Sequence, residues 1–222
     1  MTEQPIFVAE YVERRSRLTT FFRLLLAIPQ FVVAYVWGIA AGLVVIVAWF
    51  AVVITGRYPT GMYNFVAGFL RYITAVHGYV LLLTDQYPPF TSDTDAYPVR
   101  LVLPPPQDHY SRVKAFFRLI LAIPVFIILY AMVIVYEVGA LIAWFAIVIL
   151  GRQPRGLQDM IALGVSYQQR AYPYIFLLTE SWPPFIDRRG EELGRGEPNA
   201  PLPPGEPTPS GFLTPEAPKT ER

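Results

Sequence analysis

The chain has 222 residues, a net charge of +1 and only 16% charged residues, whereas a soluble domain carries about 25%. Its composition is 54% hydrophobic with a mean hydropathy of +0.38, which argues against a soluble globular protein. The balanced charge gives no reason to expect nucleic acid or another strongly charged partner. The absence of cysteine excludes disulfides, thiolate chemistry and cysteine-ligated metals.

Two long apolar runs, residues 24–55 and 119–150, contain almost no charge. Each exceeds the roughly 18 apolar residues that indicate a membrane helix. A straight helix over the first run would be about 48 Å long, against a hydrocarbon core of about 30 Å. We therefore predict that each run folds as a short transmembrane helical hairpin.

The middle of each run supports this interpretation. Glycines recur at 38–42, and Glu137 stands at the matching place in the second run. A glutamate at the centre of a bilayer is costly, whereas one at a turn near the far interface costs little. Pro29 and Pro124 are expected to kink the first helix of each hairpin.

The chain is a tandem duplication with a shift of 95 positions. About 32 of some 75 aligned positions are identical, which exceeds what shared hydrophobicity produces. The matching motifs include Phe-Phe-Arg at 21–23 and 116–118, Ala-Trp-Phe-Ala at 48–51 and 143–146, and Pro-Pro-Phe at 88–90 and 183–185. The duplication predicts two structurally equivalent units.

The motifs at 17–29, 48–51, 55–61 and 82–90 together resemble the bacterial, largely actinobacterial, membrane proteins of the domain-of-unknown-function 4389 family. The resemblance covers both units. The second unit departs from the pattern at Gln153 and Trp182, where the first has tyrosine. The resemblance implies a bacterial membrane protein and supplies no activity and no catalytic residues.

Basic residues flank both apolar runs and are absent from the proposed turns. They are Arg14, Arg15, Arg17, Arg23 and Arg57 in the first unit, and Arg112, Lys114, Arg118, Arg152 and Arg155 in the second. Cytoplasmic flanks carry such an excess of positive charge. We therefore predict two parallel repeats related by an axis along the membrane normal, with four spans and both termini cytoplasmic.

The third segment of each unit is more polar. Residues 62–76 and 160–172 are predicted to form amphipathic helices that lie in the interface, although spanning helices stay an alternative. Residues 99–103 and 6–8 are candidate strands of a small cytoplasmic cap. For residues 79–83 and 174–178, the sequence is equally consistent with a strand and with a helix.

These segments define an all-α integral membrane protein with four regions. Residues 5–90 form the first membrane repeat, 91–96 a linker, and 97–186 the second membrane repeat. The Pro-, Gly- and Glu-rich residues 187–222 form a cytoplasmic tail that we expect to be disordered.

Four arginines are the candidate site residues. Arg23 and Arg118 lie at equivalent places about one turn inside an apolar helix, where they could bind a lipid phosphate or a substrate carboxylate. Alternatively, each reaches the headgroups from a helix end. Arg57 and Arg152 belong to Gly-Arg-x-Pro-x-Gly turns that should end the apolar helices and could contact lipid phosphates.

No catalytic or metal-binding constellation stands out. His77 and His109 have no second ligand at a metal spacing, and Asp85 and Glu180 are interpreted as turn or cap residues. Phosphate-binding loops, nucleophile elbows and zinc-protease motifs are missing from the sequence. We therefore predict no catalytic residue, no cofactor and no metal.

These features favour a noncatalytic, multi-pass protein of the bacterial plasma membrane. It would organise lipids or partner proteins at the inner face, with membrane lipids and a membrane-protein partner or a second copy of itself as binding partners. A small transporter or channel subunit is the first alternative. A lipid-modifying membrane enzyme is the second.

Overall fold

The computed structural model describes residues 4–10 and 15–185. Their elements in chain order are β1 (Ile6–Ala9), α1 (Arg17–Thr55), α2 (Thr60–Val80), β2 (Val99–Val102), α3 (Arg112–Phe116), α4 (Arg118–Leu121), α5 (Ile123–Leu150) and α6 (Arg155–Ile175). The predicted tail at 187–222 lies outside the described residues.

The first apolar run forms one helix, and the second forms α4 followed directly by α5. Neither run turns back in its middle, so the predicted hairpins are wrong. Helix α1 continues for 39 residues and α5 for 28. A glycine inside a helix costs only about 1 kcal/mol relative to alanine, far less than the unpaired backbone groups of a turn in an apolar setting. Gly38 allows close packing instead, since a Cβ there would lie 3.3 Å from the Phe69 ring. Glu137 is exposed within α5.

Both long helices end where the glycine motifs predict. Gly56 and Gly151 adopt left-handed φ angles of 73° and 74°, and each backbone N–H donates to the carbonyl four residues earlier. Glycine adopts this conformation without a Cβ clash. The helix starts differ between the units, because α1 begins directly after Ser16 whereas the second unit divides the same stretch into α3, α4 and α5.

The third segments are the helices α2 and α6, as predicted, but they form the interior of the molecule. Val66 and Leu70 of α2 and Ile161 and Val165 of α6 are fully buried. Each helix packs on the long helix of its own unit, and the two contact each other. An amphipathic helix lying alone in an interface would leave one whole side exposed, which is not the arrangement here.

The two candidate strands are confirmed. β1 and β2 pair antiparallel, with Phe7 opposite Leu101 and Ala9 opposite Val99, and this ribbon packs on α2 and α6. Residues 79–83 and 174–178 are helix ends followed by a turn and are not strands. Leu82 and Leu177 each have a positive φ, of 64° and 65°, a conformation that L-residues other than Asn and Asp seldom adopt.

The two units exchange their helix ends. The N–H of Arg15 donates to the carbonyl of Gly151 (3.3 Å), and that of Tyr110, its equivalent in the second unit, donates to Gly56 (2.8 Å). The start of each long helix therefore lies beside the end of the other.

Two tryptophans repeat this exchange. The indole of Trp49 donates to the carbonyl of Ala115 (2.9 Å), and the equivalent Trp144 donates to Thr20 (3.2 Å). These reciprocal contacts relate the units by a pseudo-two-fold axis that is perpendicular to both long helices. Helices α1 and α5 therefore run antiparallel, and the prediction that they point the same way is wrong. Identical charges at both ends of a helix carry no information about its direction.

Close packing of α6 on α5 leads to a test with two glycines. A Cβ at Gly164 would lie 3.0 Å from the carbonyl oxygen of Met132 and 3.0 Å from Cβ of Tyr136, whereas nothing lies within 4 Å of a Cβ at Gly42. We expect Gly164→Ala to destabilise the protein by about 1–3 kcal/mol, as overpacking does. Gly42→Ala should be neutral or slightly stabilising. Thermal unfolding in detergent, followed by circular dichroism, measures both, and equal effects would contradict the packing described.

Candidate functional site

Helices α1 and α5 bury only a narrow stripe and expose the rest of an apolar surface. Only 17% of the most apolar stretch of α1 and 22% of that of α5 is buried. Leu24 and Leu119, at equivalent positions, are 66% and 74% exposed. By length and composition, both helices could cross a membrane. We call the exposed side of α1 and α5 the apolar face.

An open groove between α1 and α2 adds to this apolar surface. It is lined by Val32, Val33, Val36, Trp37, Ala40 and Phe65. A groove with almost no polar atoms suits a hydrocarbon chain and offers nothing to orient a polar substrate.

Charged groups lie on the side of α2, α6 and the ribbon, and some lie beside the middle of the long helices. Ser92 packs on Gly68, where a Cβ would be 3.1 Å from Ser92 and 3.5 Å from Trp37 in the middle of α1. Asp93 and Asp95, next in the chain, are exposed. We call this side of the molecule the charged face.

The ribbon brings a further ion pair to the charged face. Arg100 Nη1 of β2 lies 3.4 Å from Glu10 Oε1, which follows β1, and Glu10 is half exposed. Because β1 and β2 pair across the pseudo-two-fold axis, Arg100 lies close to that axis. Glu10 lies further along the ribbon, where its carbonyl accepts from Gln158 Nε2 (3.2 Å) near the start of α6.

Two groups of exposed basic residues stand at opposite ends of the long helices, and two of the three residues in each group are equivalent between the units. The first basic end consists of Arg17, Arg152 and Arg155, and the second of Arg112, Arg57 and Lys114. Arg17 lies against Gly151, and Arg112 lies against Gly56. Arg112 also donates to the carbonyl of Thr55 at the end of α1 (3.3 Å), as a cation at a helix C-terminus should.

Arg57 and Arg152 therefore keep the exposed placement that contact with a lipid phosphate requires. The structure separates them by the length of a long helix, so they do not form one shared site. Each acts with the basic residues that the other unit contributes to the same end.

Arg23 occupies a different environment, because its side chain is 2% exposed. Its guanidinium forms an ion pair with Asp85 and donates to the carbonyls of Tyr79 and Thr84, the latter at 2.8 Å. It also lies over the Tyr79 ring, 4.6 Å from the centroid. Asp85 in turn accepts from the N–H of Ser16 (2.8 Å) at the start of α1. The group joins the start of α1 to the turn after α2.

Arg118 makes the equivalent connection with one difference. It is 3% exposed, donates to the carbonyl of Thr179 (3.3 Å) and lies 4.2 Å from the centroid of the Tyr174 ring. Glu180 accepts from the N–H of Ser111, but its ion-pair partner is Lys114 (3.5 Å).

These placements give Arg23 and Arg118 intramolecular partners in place of the predicted lipid or anion. A phosphate could reach Arg23 only by displacing Asp85. Asp85 and Glu180 accept from the backbone N–H groups that precede α1 and α3, in agreement with their interpretation as turn or cap residues. The arginine–turn connection was missed from the sequence, although its components recur in both units at the same separation.

A chain of polar side chains crosses the pseudo-two-fold axis between α2 and α6. Thr74 Oγ1 donates to Gln169 Oε1 (2.9 Å), and Gln169 Nε2 lies 2.7 Å from Nδ1 of His77. Thr74 and Gln169 are equivalent residues of the two units. Burial lowers the pKa of His77 to about 4, so the imidazole is neutral at pH 7. Its Nδ1 accepts a hydrogen bond from the side-chain amide of Gln169.

The described residues contain no group of three or more His, Cys, Asp or Glu that could hold a metal ion. His77 has an amide and no carboxylate as its polar neighbour. The polar chain therefore has the character of a hydrogen-bonded contact between two buried helices.

The difference between the two arginine connections leads to a double-mutant test. We expect Arg23→Met and Asp85→Asn each to destabilise the protein, with a coupling of about 1–3 kcal/mol because they share one ion pair. The matched cycle of Arg118→Met with Glu180→Gln should show coupling near zero, since Glu180 pairs with Lys114. Thermal unfolding in detergent measures all six variants, and equal coupling in the two cycles would disprove the assignment.

Comparison with known proteins identifies one family. The model of a domain of unknown function, DUF4389, matches residues 17–92 and again residues 112–187. No curated protein and no solved structure matches the chain. The matches begin at the start of α1 and at the start of α3, and each ends just after a Pro-Pro-Phe motif. Each therefore covers the helices and the arginine-bound turn of one unit. The chain therefore belongs to the DUF4389 family, of which it contains two tandem domains.

Proposed function

We propose that this chain is a noncatalytic membrane protein that inserts its apolar face into the plasma membrane of a bacterial cell. There it organises lipids, and it presents its charged face to partner proteins on the inner side. The observation that carries the proposal is the separation of the two faces. No charged residue is exposed on α1 from Leu24 to Ile54, and Glu137 is the one exposed charged residue of α5.

The size of the exposed apolar surface supports insertion into lipid. Soluble monomers seldom expose apolar patches beyond a few hundred Å², and burying one large apolar side chain contributes about 1.5–3 kcal/mol. More than thirty large hydrophobic side chains of the described residues are exposed, most of them on α1 and α5. A core helix of a soluble protein would be mostly buried. A signal sequence would not explain α5, which begins at Ile123.

The basic ends support a preference for anionic lipids. Each basic residue near an anionic membrane surface contributes about 1 kcal/mol of attraction. Both ends carry three such residues beside the apolar face, so an anionic headgroup at either end would meet several cations. At the second end, Lys114 also pairs with Glu180.

Transport has less support from the geometry. A substrate path needs polar groups that face an opening. Thr74, Gln169 and His77 of α2 and α6 bond to one another instead.

Insertion into lipid is tested with two equivalent substitutions on the apolar face. We expect the wild-type protein to stay in the membrane fraction after high salt and alkaline carbonate. Val47→Glu and Ile142→Glu, at positions 53% and 50% exposed, should release a large share, because a charge in hydrocarbon costs about 2.5–3.5 kcal/mol. Asn64→Glu, at an exposed position of α2, is the control and should stay bound. Release of folded wild-type protein by salt alone would refute the proposal.

The lipid preference is tested by tryptophan quenching in vesicles. Trp49 and Trp144 lie near the second and first basic ends. We expect brominated phosphatidylglycerol to quench both tryptophans more than brominated phosphatidylcholine does. Combining Arg57→Gln and Arg152→Gln removes one arginine from each basic end and should reduce that preference by about five-fold at each end. Arg100→Gln on the ribbon should leave it unchanged. Equal quenching by both lipids in the wild-type protein would remove the support for lipid organisation.

A further inference from the structure

We infer that α1 and α5 lie in the plane of the membrane, within one leaflet, with the pseudo-two-fold axis along the membrane normal. The anionic headgroups of that leaflet then contact both basic ends. This inference rests on the proposed insertion into lipid and replaces the multi-pass topology expected from the sequence with a protein that enters the bilayer from one side.

The position of the exposed charges carries the inference. The acidic turn with Asp93 and Asp95 follows Ser92, which packs beside Gly68 and Trp37 in the middle of the α1–α2 pair. If α1 crossed the bilayer, both carboxylates would lie near its centre, where each charge costs at least about 2.5–3.5 kcal/mol. With α1 in the plane, the same carboxylates lie on the water side.

The ribbon leads to the same conclusion from the other unit. The ribbon crosses the pseudo-two-fold axis with Arg100 of β2 close to it, while Glu10 lies further along, where its carbonyl accepts from Gln158 near the start of α6. Crossing helices would place Arg100 in hydrocarbon, near the middle of the bilayer. If α1 and α5 lie in the plane of the membrane, the charged face points to water and the apolar face points into the lipid.

Helix length agrees with this orientation. At 1.5 Å per residue, the 39 residues of α1 extend about 58 Å and the 28 residues of α5 about 42 Å. The hydrocarbon core is about 30 Å thick, so a crossing would require steep tilts. A helix with its side chains is about 10–12 Å in diameter, which fits the depth of one leaflet.

The basic ends distinguish the two orientations as well. Because the pseudo-two-fold axis exchanges them, crossing helices would place one basic end on each side of the membrane, without the charge asymmetry that orients spanning proteins. Helices in the plane place both ends at the headgroups of one leaflet, where anionic lipids attract them.

Site-directed labelling tests the orientation in a chain that has no cysteine of its own. Asn64→Cys reports the second basic end and Asp159→Cys the first. The two positions are equivalent, both are exposed, and each is one turn into its helix. Asp95→Cys reports the acidic turn. Each variant is treated with a membrane-impermeant maleimide in sealed right-side-out vesicles and in inverted vesicles, and detergent-solubilised protein establishes that each cysteine is reactive.

We expect all three cysteines to react from the same side of the membrane. Reaction of Asn64→Cys and Asp159→Cys from opposite sides, with Asp95→Cys protected from both, would overturn the in-plane arrangement while leaving insertion into lipid intact. Extraction of the unmodified protein by salt or carbonate would instead overturn the proposed function itself. The two failures are therefore distinguishable.

Discussion

The exchange of helix ends between the two units determines the arrangement of everything else in the molecule. The backbone N–H groups of Arg15 and Tyr110 reach the glycines that end the other unit's long helix, and the indoles of Trp49 and Trp144 repeat the exchange one turn further in. A helix end leaves carbonyls without intrahelical partners, so each unit supplies a group that the other lacks. Once both ends are joined, α1 and α5 must run antiparallel, and α2 and α6 meet between them.

Separation of apolar and charged surface follows from this arrangement. Each long helix uses one narrow stripe to contact the interior, where Ala27, Ala48 and Val52 are fully buried in α1. The remaining circumference is covered by no other part of residues 4–10 and 15–185. The acidic turn and the ion pair of the ribbon lie on the opposite side, whereas Glu137 is exposed on α5 itself. A membrane surface has the same two-sided character, which is why the molecule matches one leaflet better than a whole bilayer.

The two units have diverged within this common frame. Arg23 and Arg118 share the threonine carbonyl and the tyrosine ring contact. The ion pair of Arg23 with Asp85, however, becomes a pair of Lys114 with Glu180 in the second unit. Gln30, which donates to Pro88 and accepts from Tyr72, is replaced by Val125 at the equivalent buried position. The connection between each helix start and its turn is maintained by backbone carbonyls, which do not depend on side-chain identity. The carboxylate is therefore free to change partner.

Local features were predictable from the sequence because each depends on a few neighbouring residues. The duplication, the family, the glycine stops at Gly56 and Gly151, the helices at 62–76 and 160–172 and the strand over 99–103 all follow from periodicity or residue type. The exposed placement of Arg57 and Arg152 also follows, because each stands directly after a helix stop. The turn over 79–83 could not be resolved, since its left-handed leucine appears in the sequence as one more apolar residue.

The tertiary structure decided whether each apolar run turns, in which direction the units face and what the buried arginines bind. Glycines at 38–42 are consistent with a turn or with close helix packing, and only the presence of Phe69 against Gly38 selects packing. Equal positive charge at both ends of a helix is consistent with either direction, and only contacts between the units select one. Arg23 and Asp85 are 62 positions apart, so their pairing depends on how α2 folds back along α1. Sequence by itself determined that the chain is two apolar, membrane-suited copies of one unit; their orientation came from contacts between residues far apart in the chain.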